Sequence, residues 1–251
     1  MPDPAPWQPE QPQLGLVGRA VGVITSPAAT FADVVRAPRP VLILLVVSAV
    51  IAIASTLPQM TERGRQAILQ TQIDTIERFT GQPVSDEVYA QMEANSRRSF
   101  TRYLGIVATF VWMPIMALFF KAILWGLFNL LLGGAAAFKQ VLGIVTHSMV
   151  IMAVGAAVSA PIQMMQTTFS LAGPFNLGAL VPMLDPEGFV ARFLTGTSAI
   201  TIWQTVVLAI GLGVLYRRKS TGIAIGLLAA YAALVAVGVA IFSMFADRMG
   251  S

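Results

Sequence analysis

From Tyr103 to Gln166 the chain carries two long apolar stretches, joined at Leu132-Gly133-Gly134-Ala135-Ala136-Ala137-Phe138-Lys139-Gln140. Between Tyr103 and Leu132 the one charge is Lys121. Between Val141 and Met165 there is none, and only His147 titrates. A helix in a soluble core is rarely apolar on every side for so long, whereas crossing a bilayer takes ~20 such residues. Gly133-Gly134 ends the first helix and lets the chain reverse, because glycine reaches left-handed backbone angles without steric cost. The chain is therefore expected to be a membrane protein built around a helical hairpin.

Composition agrees. Of 251 residues, 56% are hydrophobic and 11% charged, with a mean hydropathy of +0.73. Charged residues make up about 25% of an ordinary soluble domain. The basic excess, 16 against 12, has no cluster larger than Arg217-Arg218-Lys219, which suits loops and lipid headgroups rather than nucleic acid. With no cysteine and one histidine, disulfides, thiol nucleophiles, multi-histidine metal or haem ligation and a Ser-His-Asp set are not expected. No cofactor is expected.

Residues 1–13, rich in Pro and Gln, read as a disordered cytoplasmic tail. Residues 14–245 form the membrane domain. Leu14 to Arg36 reads as two short helices at the membrane surface, with Ser26 as N-cap and Pro27 in the first helical position of the second. The first span covers about 41–57, between Pro40 and Pro58, and is short for a bilayer. Thr61 to Arg102 is polar. Leu69, Ile73, Ile76 and Phe79 share one helix face, Gly81-Gln82-Pro83 breaks the helix, and Ser85 caps the next, with Asp86 and Glu87 in its first turn. This is an amphipathic extramembrane hairpin over 61–102, whose charges read as a solvated surface. The second and third spans, about 103–132 and 141–165, are the central pair. Thr167 to Thr197 is Gly- and Pro-rich yet hydrophobic, as an interfacial or re-entrant loop packed on protein would be. The fourth span, 199–216, places Trp203 and Tyr216 near opposite ends as interfacial anchors, and the fifth covers 222–245. The fold class expected is all-α, a polytopic membrane protein with five transmembrane helices.

With an internal N-terminus, seven basic residues lie inside (Arg19, Arg36, Arg39, Lys139, Arg217, Arg218, Lys219) and eight outside. The inside run occupies the tightest loop, and the six arginines of the first outside loop are matched by six acids. The N-terminus is therefore expected in the cytoplasm and the C-terminus outside.

Three motifs, in order, resemble the Yip1 domain family. Thr25-Ser26-Pro27-Ala28-Ala29-Thr30-Phe31 is similar to the family's Ser-Pro-x-x-Thr-Phe opening. Gly133-Gly134 followed by Phe138-Lys139-Gln140 resembles its Gly-Gly-x-x-x-Phe-Arg-Gln turn, and Trp203 before an apolar helix and a basic turn fits its fourth span. His147, where an aromatic is common, and Ala135-Ala136-Ala137, where a polar residue is, depart from the pattern. The resemblance covers about Gly15 to Phe245 and implies a five-span fold without a settled activity for bacterial relatives. The Rab binding associated with eukaryotic relatives is not carried over. The composition suits a multi-pass protein of the bacterial inner membrane.

The polar residues within the spans are the candidate site: Lys121, Asn129 and His147. Lys121 reads as a snorkelling lysine, or as part of a span that tilts along the interface, rather than as a substrate, proton or headgroup site. If it faces the bundle, an acceptor such as Asn129, a carbonyl freed at a proline kink, or a ring such as Trp125 or Phe128 on its own face is expected. His147 is expected to be a satisfied interfacial histidine. Gly133, Gly134, Phe138, Lys139 and Gln140 are read as a structural turn. Gly222-x-x-x-Gly226 and Gly155-x-x-x-Ser159 are read as faces for close helix packing. The expected function is a non-enzymatic scaffold for membrane-protein partners or for membrane organisation, with homo-oligomerisation open. The alternative is a small-solute or ion transporter with Lys121 on the pathway. The bilayer and other membrane proteins are the expected partners, and nucleic acid is not.

Overall fold

The computed structural model describes residues 13–131, 133–166 and 172–249, so nearly all of the tail expected over 1–13 lies outside the described residues. Among those described there is no strand, and eleven α-helices follow one another. They are α1 (Leu16–Thr25), α2 (Pro27–Arg36), α3 (Pro40–Thr56), α4 (Glu62–Thr80), α5 (Asp86–Arg97) and α6 (Ser99–Gly126). After the turn come α7 (Phe138–Ser148), α8 (Val150–Met165), α9 (Phe189–Thr195), α10 (Ala199–Tyr216) and α11 (Ser220–Met249).

Five helical stretches are long and apolar enough to cross a membrane: Pro40–Met60, Tyr103–Leu130, Phe138–Met165, Ala199–Tyr216 and Ser220–Met244. The first is longer than its apolar core suggests. A 3-10 turn over Leu57–Met60 continues α3 past Pro58 and brings it to 21 residues. A 3-10 turn rises more per residue than an α-helix, so the shortfall disappears.

The third span is the most enclosed, with 67% of its most apolar window buried, against 50% for the first. Ile43, Val47 and Ile51 recur every four residues along α3, and they join Ile144 and Ile151 in one buried cluster. Since lipid is as apolar as leucine, packing here depends on close approach rather than escape from water. Gly155 supplies one such approach: a Cβ there would lie 2.7 Å from Ile200 Cγ2 of α10. Gly222 and Gly226 do not. A Cβ at either would meet nothing within 4 Å, so this pair packs on no neighbour within the described chain.

The third span is interrupted at Met149, between α7 and α8. Three consecutive side chains just before it bond back to main-chain carbonyls: Thr146 Oγ1 to Leu142 O (2.8 Å), His147 Nδ1 to Gly143 O (2.6 Å) and Ser148 Oγ to Val145 O (2.8 Å). Such back-bonds compete with the helix ladder and loosen it.

α1 and α2, expected at the membrane surface, pack one face on the bundle while Val17 and Val21 of α1 stay exposed. Phe31, Val34 and Val23 are fully buried, and α2 packs against α10 and α7. A Cβ on Gly211 of α10 would come 3.1 Å from the Phe31 ring, and one on Gly143 of α7 would come 3.1 Å from Val34 Cγ1. The helix pair is a wedge in the bundle. Ser26 stands at the N-cap of α2 without a side-chain cap bond; its carbonyl instead accepts the Thr30 hydroxyl at 3.0 Å.

Successive crossings place α1–α2, the 133–137 turn and the 217–219 turn on one side, here the near face. The far face carries α4–α5, capped by Thr61 and Ser85 and joined through left-handed Gly81 (φ 66). Leu69 and Ile73 are buried, whereas Ile76 and Phe79 are more open, with Phe79 edge-on to Phe242 of α11. Residues 172–198, also on this side, hold a 3-10 turn over Leu177–Leu180, α9 and a single bridge between Asn176 and Ser198.

Candidate functional site at the near-face turn

α6 does not stop cleanly at Gly126. Its last turn widens into a π-helix over Leu127–Leu131, a geometry that re-aims side chains and recurs at functional sites. Gly133 then takes φ +68, and the Gly134 N–H returns to Phe128 O at 2.8 Å. The two glycines serve different needs. Gly133 supplies the left-handed angle, whereas Gly134 is forced by space, since a Cβ there would lie 2.8 Å from Phe128 O and 2.5 Å from Tyr216 Cε1.

Asn129 holds the turn closed. Its Nδ2 donates to Ala136 O (2.8 Å), its Oδ1 accepts from Ala136 N–H (3.3 Å), and the Tyr216 hydroxyl donates to the same Oδ1 (2.9 Å). Trp125 Nε1 also donates to Ala136 O at 3.1 Å. The N–H and the carbonyl of Ala136, at the membrane end of a hairpin, are thus both paired, as a medium poor in water requires. Phe128 stacks on Tyr216 with ring centroids 4.7 Å apart. Tyr216, expected as an interfacial anchor, stands at the near-face end of its span and is tied into the bundle through Asn129 and Phe128.

Lys121 is 2% exposed, one turn before Trp125 on the same face. Its Nζ lies 2.7 Å from the centroid of Phe138, and Trp125 meets the same ring edge-on at 5.8 Å. A cation over an aromatic face is attracted by the ring quadrupole. The ring is not Trp125 or Phe128, as helical spacing suggests. Helical side chains lean toward the N-terminus, away from residues further along, and Phe138 enters from the next helix. Gln140 closes the start of α7: its Oε1 accepts from Ala137 N–H (3.0 Å) and its Nε2 donates to Val35 O of α2 (3.3 Å). Lys139 is exposed. Lys121, Asn129, Gly133, Gly134, Phe138 and Gln140 are thereby brought together, with Trp125, Ala136 and Tyr216.

His147 is not part of this network. It is 1% exposed, carries its proton on Nδ1 toward Gly143 O, and has Arg19 and Asp33 as its charged neighbours. That pair was not singled out from the sequence. Arg19 Nε donates to Asp33 Oδ2 at 2.8 Å with both residues 3% exposed, and Arg19 Nη1 reaches Ala37 O, just past the end of α2, at 3.0 Å. Arg36 approaches the other carboxylate oxygen at 3.5 Å. Asp33 is the one acid between Leu14 and Arg39, and its isolation in an otherwise apolar and basic stretch was the available signal.

Together these features define a multi-pass, all-α membrane protein in which Lys121, Asn129 and His147 each have a partner within the bundle. A family model for the Yip1 domain matches residues 21–242, and the chain belongs to that family. Comparisons with curated proteins and with solved structures give no match. The family is not known as enzymatic.

Proposed function

We propose that the protein is a membrane scaffold that associates with other membrane proteins side by side. The observation that carries this reading is the use of the polar groups within the spans. Lys121 rests on Phe138, Asn129 is consumed by Ala136 and Tyr216, and His147 bonds its own helix. A solute pathway needs polar groups that face a continuous route, whereas each of these is engaged with a ring, a neighbouring side chain or a main-chain group beside it. The two spans at the rim support the same reading: 11% of the most apolar window of the second is buried and none of the fifth's. The site proposed for the protein is the bacterial inner membrane, with the near face cytoplasmic and the C-terminus outside.

Two measurements test it. Purification in mild detergent is expected to bring down a reproducible set of membrane proteins, lost when the outward face of α6 is altered at Trp112 and Phe119. Liposomes holding the purified protein are expected to show no Lys121-dependent flux. A flux abolished by Lys121→Met in a normally folded variant would replace the scaffold with a transporter.

A further inference from the structure

We propose that the groove between the end of the second span and the start of α11 is a binding site for an anionic phospholipid. The groove has a volume of about 580 Å3. Phe128 and Leu127 line one side, and Gly222, Gly226, Leu227 and Ala230 of α11 line the other. From Gly222 to Ala230 the helix rises ~12 Å, so the groove runs along the span rather than into the protein. Arg218 and Lys219 line the same groove at its near-face end, both exposed. They are set there by Arg217, which takes φ 52 and turns the chain sharply between α10 and α11. An apolar trough lying along a span, with two cations where the span ends, matches one acyl chain below a phosphate headgroup.

Charge decides against a second copy of this chain as the occupant. A closed dimer across this face would be two-fold symmetric and would bring Arg218 and Lys219 near their own equivalents, like charge against like. A phosphodiester supplies the opposite charge. Gly222 and Gly226 matter because they leave the trough open: a Cβ at either meets nothing within 4 Å, so a larger side chain there occupies the groove without disturbing the helix.

Native mass spectrometry of the full chain in a non-ionic detergent tests this, with phosphatidylglycerol and phosphatidylcholine as probes. The parent is expected to retain phosphatidylglycerol about tenfold better than phosphatidylcholine. Arg218→Gln with Lys219→Gln should bring retention of phosphatidylglycerol down to that of phosphatidylcholine, and Gly226→Leu should lower both. Arg97→Gln with Arg98→Gln, on the far face, should change neither. Equal retention of the two lipids by the parent overturns the proposal, as does unchanged retention in the double glutamine variant. Displacement of the lipid by millimolar inorganic phosphate would reduce the site to an anion site and overturns it too. So does a Gly226→Leu variant that keeps its lipid but changes from dimer to monomer, because a second copy then fills the groove.

Discussion

Asp33 lies between two arginines, with Arg19 on its Oδ2 and Arg36 beside its Oδ1. The two partners differ greatly in weight. Arg36 is 56% exposed along its side chain, and an ion pair open to water contributes ~0–1 kcal/mol. Arg19 is buried with Asp33, so removing Asp33 leaves an uncompensated cation inside the wedge, at a cost of about 3–5 kcal/mol, and removing Arg19 leaves the buried carboxylate with the exposed Arg36 alone. Asp33→Leu and Arg19→Met are therefore each expected to lower the unfolding temperature strongly in detergent. The double variant should recover most of the loss, because both charges then leave together; an additive double variant would show that no coupled pair exists. Lys121 follows a related logic with a different sign. Its cation–π contact is worth up to ~2 kcal/mol, and burying an ammonium costs several kcal/mol. Lys121→Met is expected to unfold at the same temperature as the parent or higher. A clear fall would mean that the contact with Phe138 outweighs desolvation.

The hairpin turn is an element whose two glycines separate by test. Asparagine tolerates left-handed angles better than other residues, and a Cβ on Gly133 meets nothing within 4 Å, so Gly133→Asn is expected to cost under ~1 kcal/mol. Gly134→Asn must displace the Tyr216 ring and with it the stack on Phe128, and is expected to cost several times more. Similar melting temperatures for the two variants would contradict this division. The turn was legible in the sequence because Gly-Gly between two apolar runs has few other uses, and the spans were legible from length and hydropathy alone. The packing of α1 and α2 was not. Phe31 and Val34 show the periodicity of any amphipathic helix, and nothing local distinguishes a helix that rests on lipid from one that enters between two spans. The partner of Lys121 was hidden for a similar reason: Phe138 is 17 residues away, beyond the reach of any argument from a single helix face. Gly155 and Gly222–Gly226 show the same limit, since equal spacing gives one tight contact and one open face.

At the scale of the molecule, five crossings fix which segments share a side, and labelling reads that arrangement. Single cysteines at Ser85 and Ser220 are expected to fall on opposite sides, Ser85 reacting with an impermeant thiol reagent in intact cells and Ser220 only after permeabilisation. Reaction of Ser220 first would invert the orientation, and reaction of both would contradict the span count. A cysteine at Ser251, outside the described residues, is expected to react with Ser85. The contact of Phe31 with Gly211 also orders events in time. A ribosome makes α2 about 180 residues before the backbone it packs against, on the order of ten seconds or more at ordinary synthesis rates. Throughout that interval Phe31 lacks Gly211 to pack on, although Val34 gains Gly143 of α7 partway through it. Completion of the fourth span, rather than of the chain, is the event that locks the N-terminus. A nascent chain stalled after Met165 should therefore be cut by protease within its first 36 residues, and one stalled far enough past Tyr216 for α10 to insert should resist.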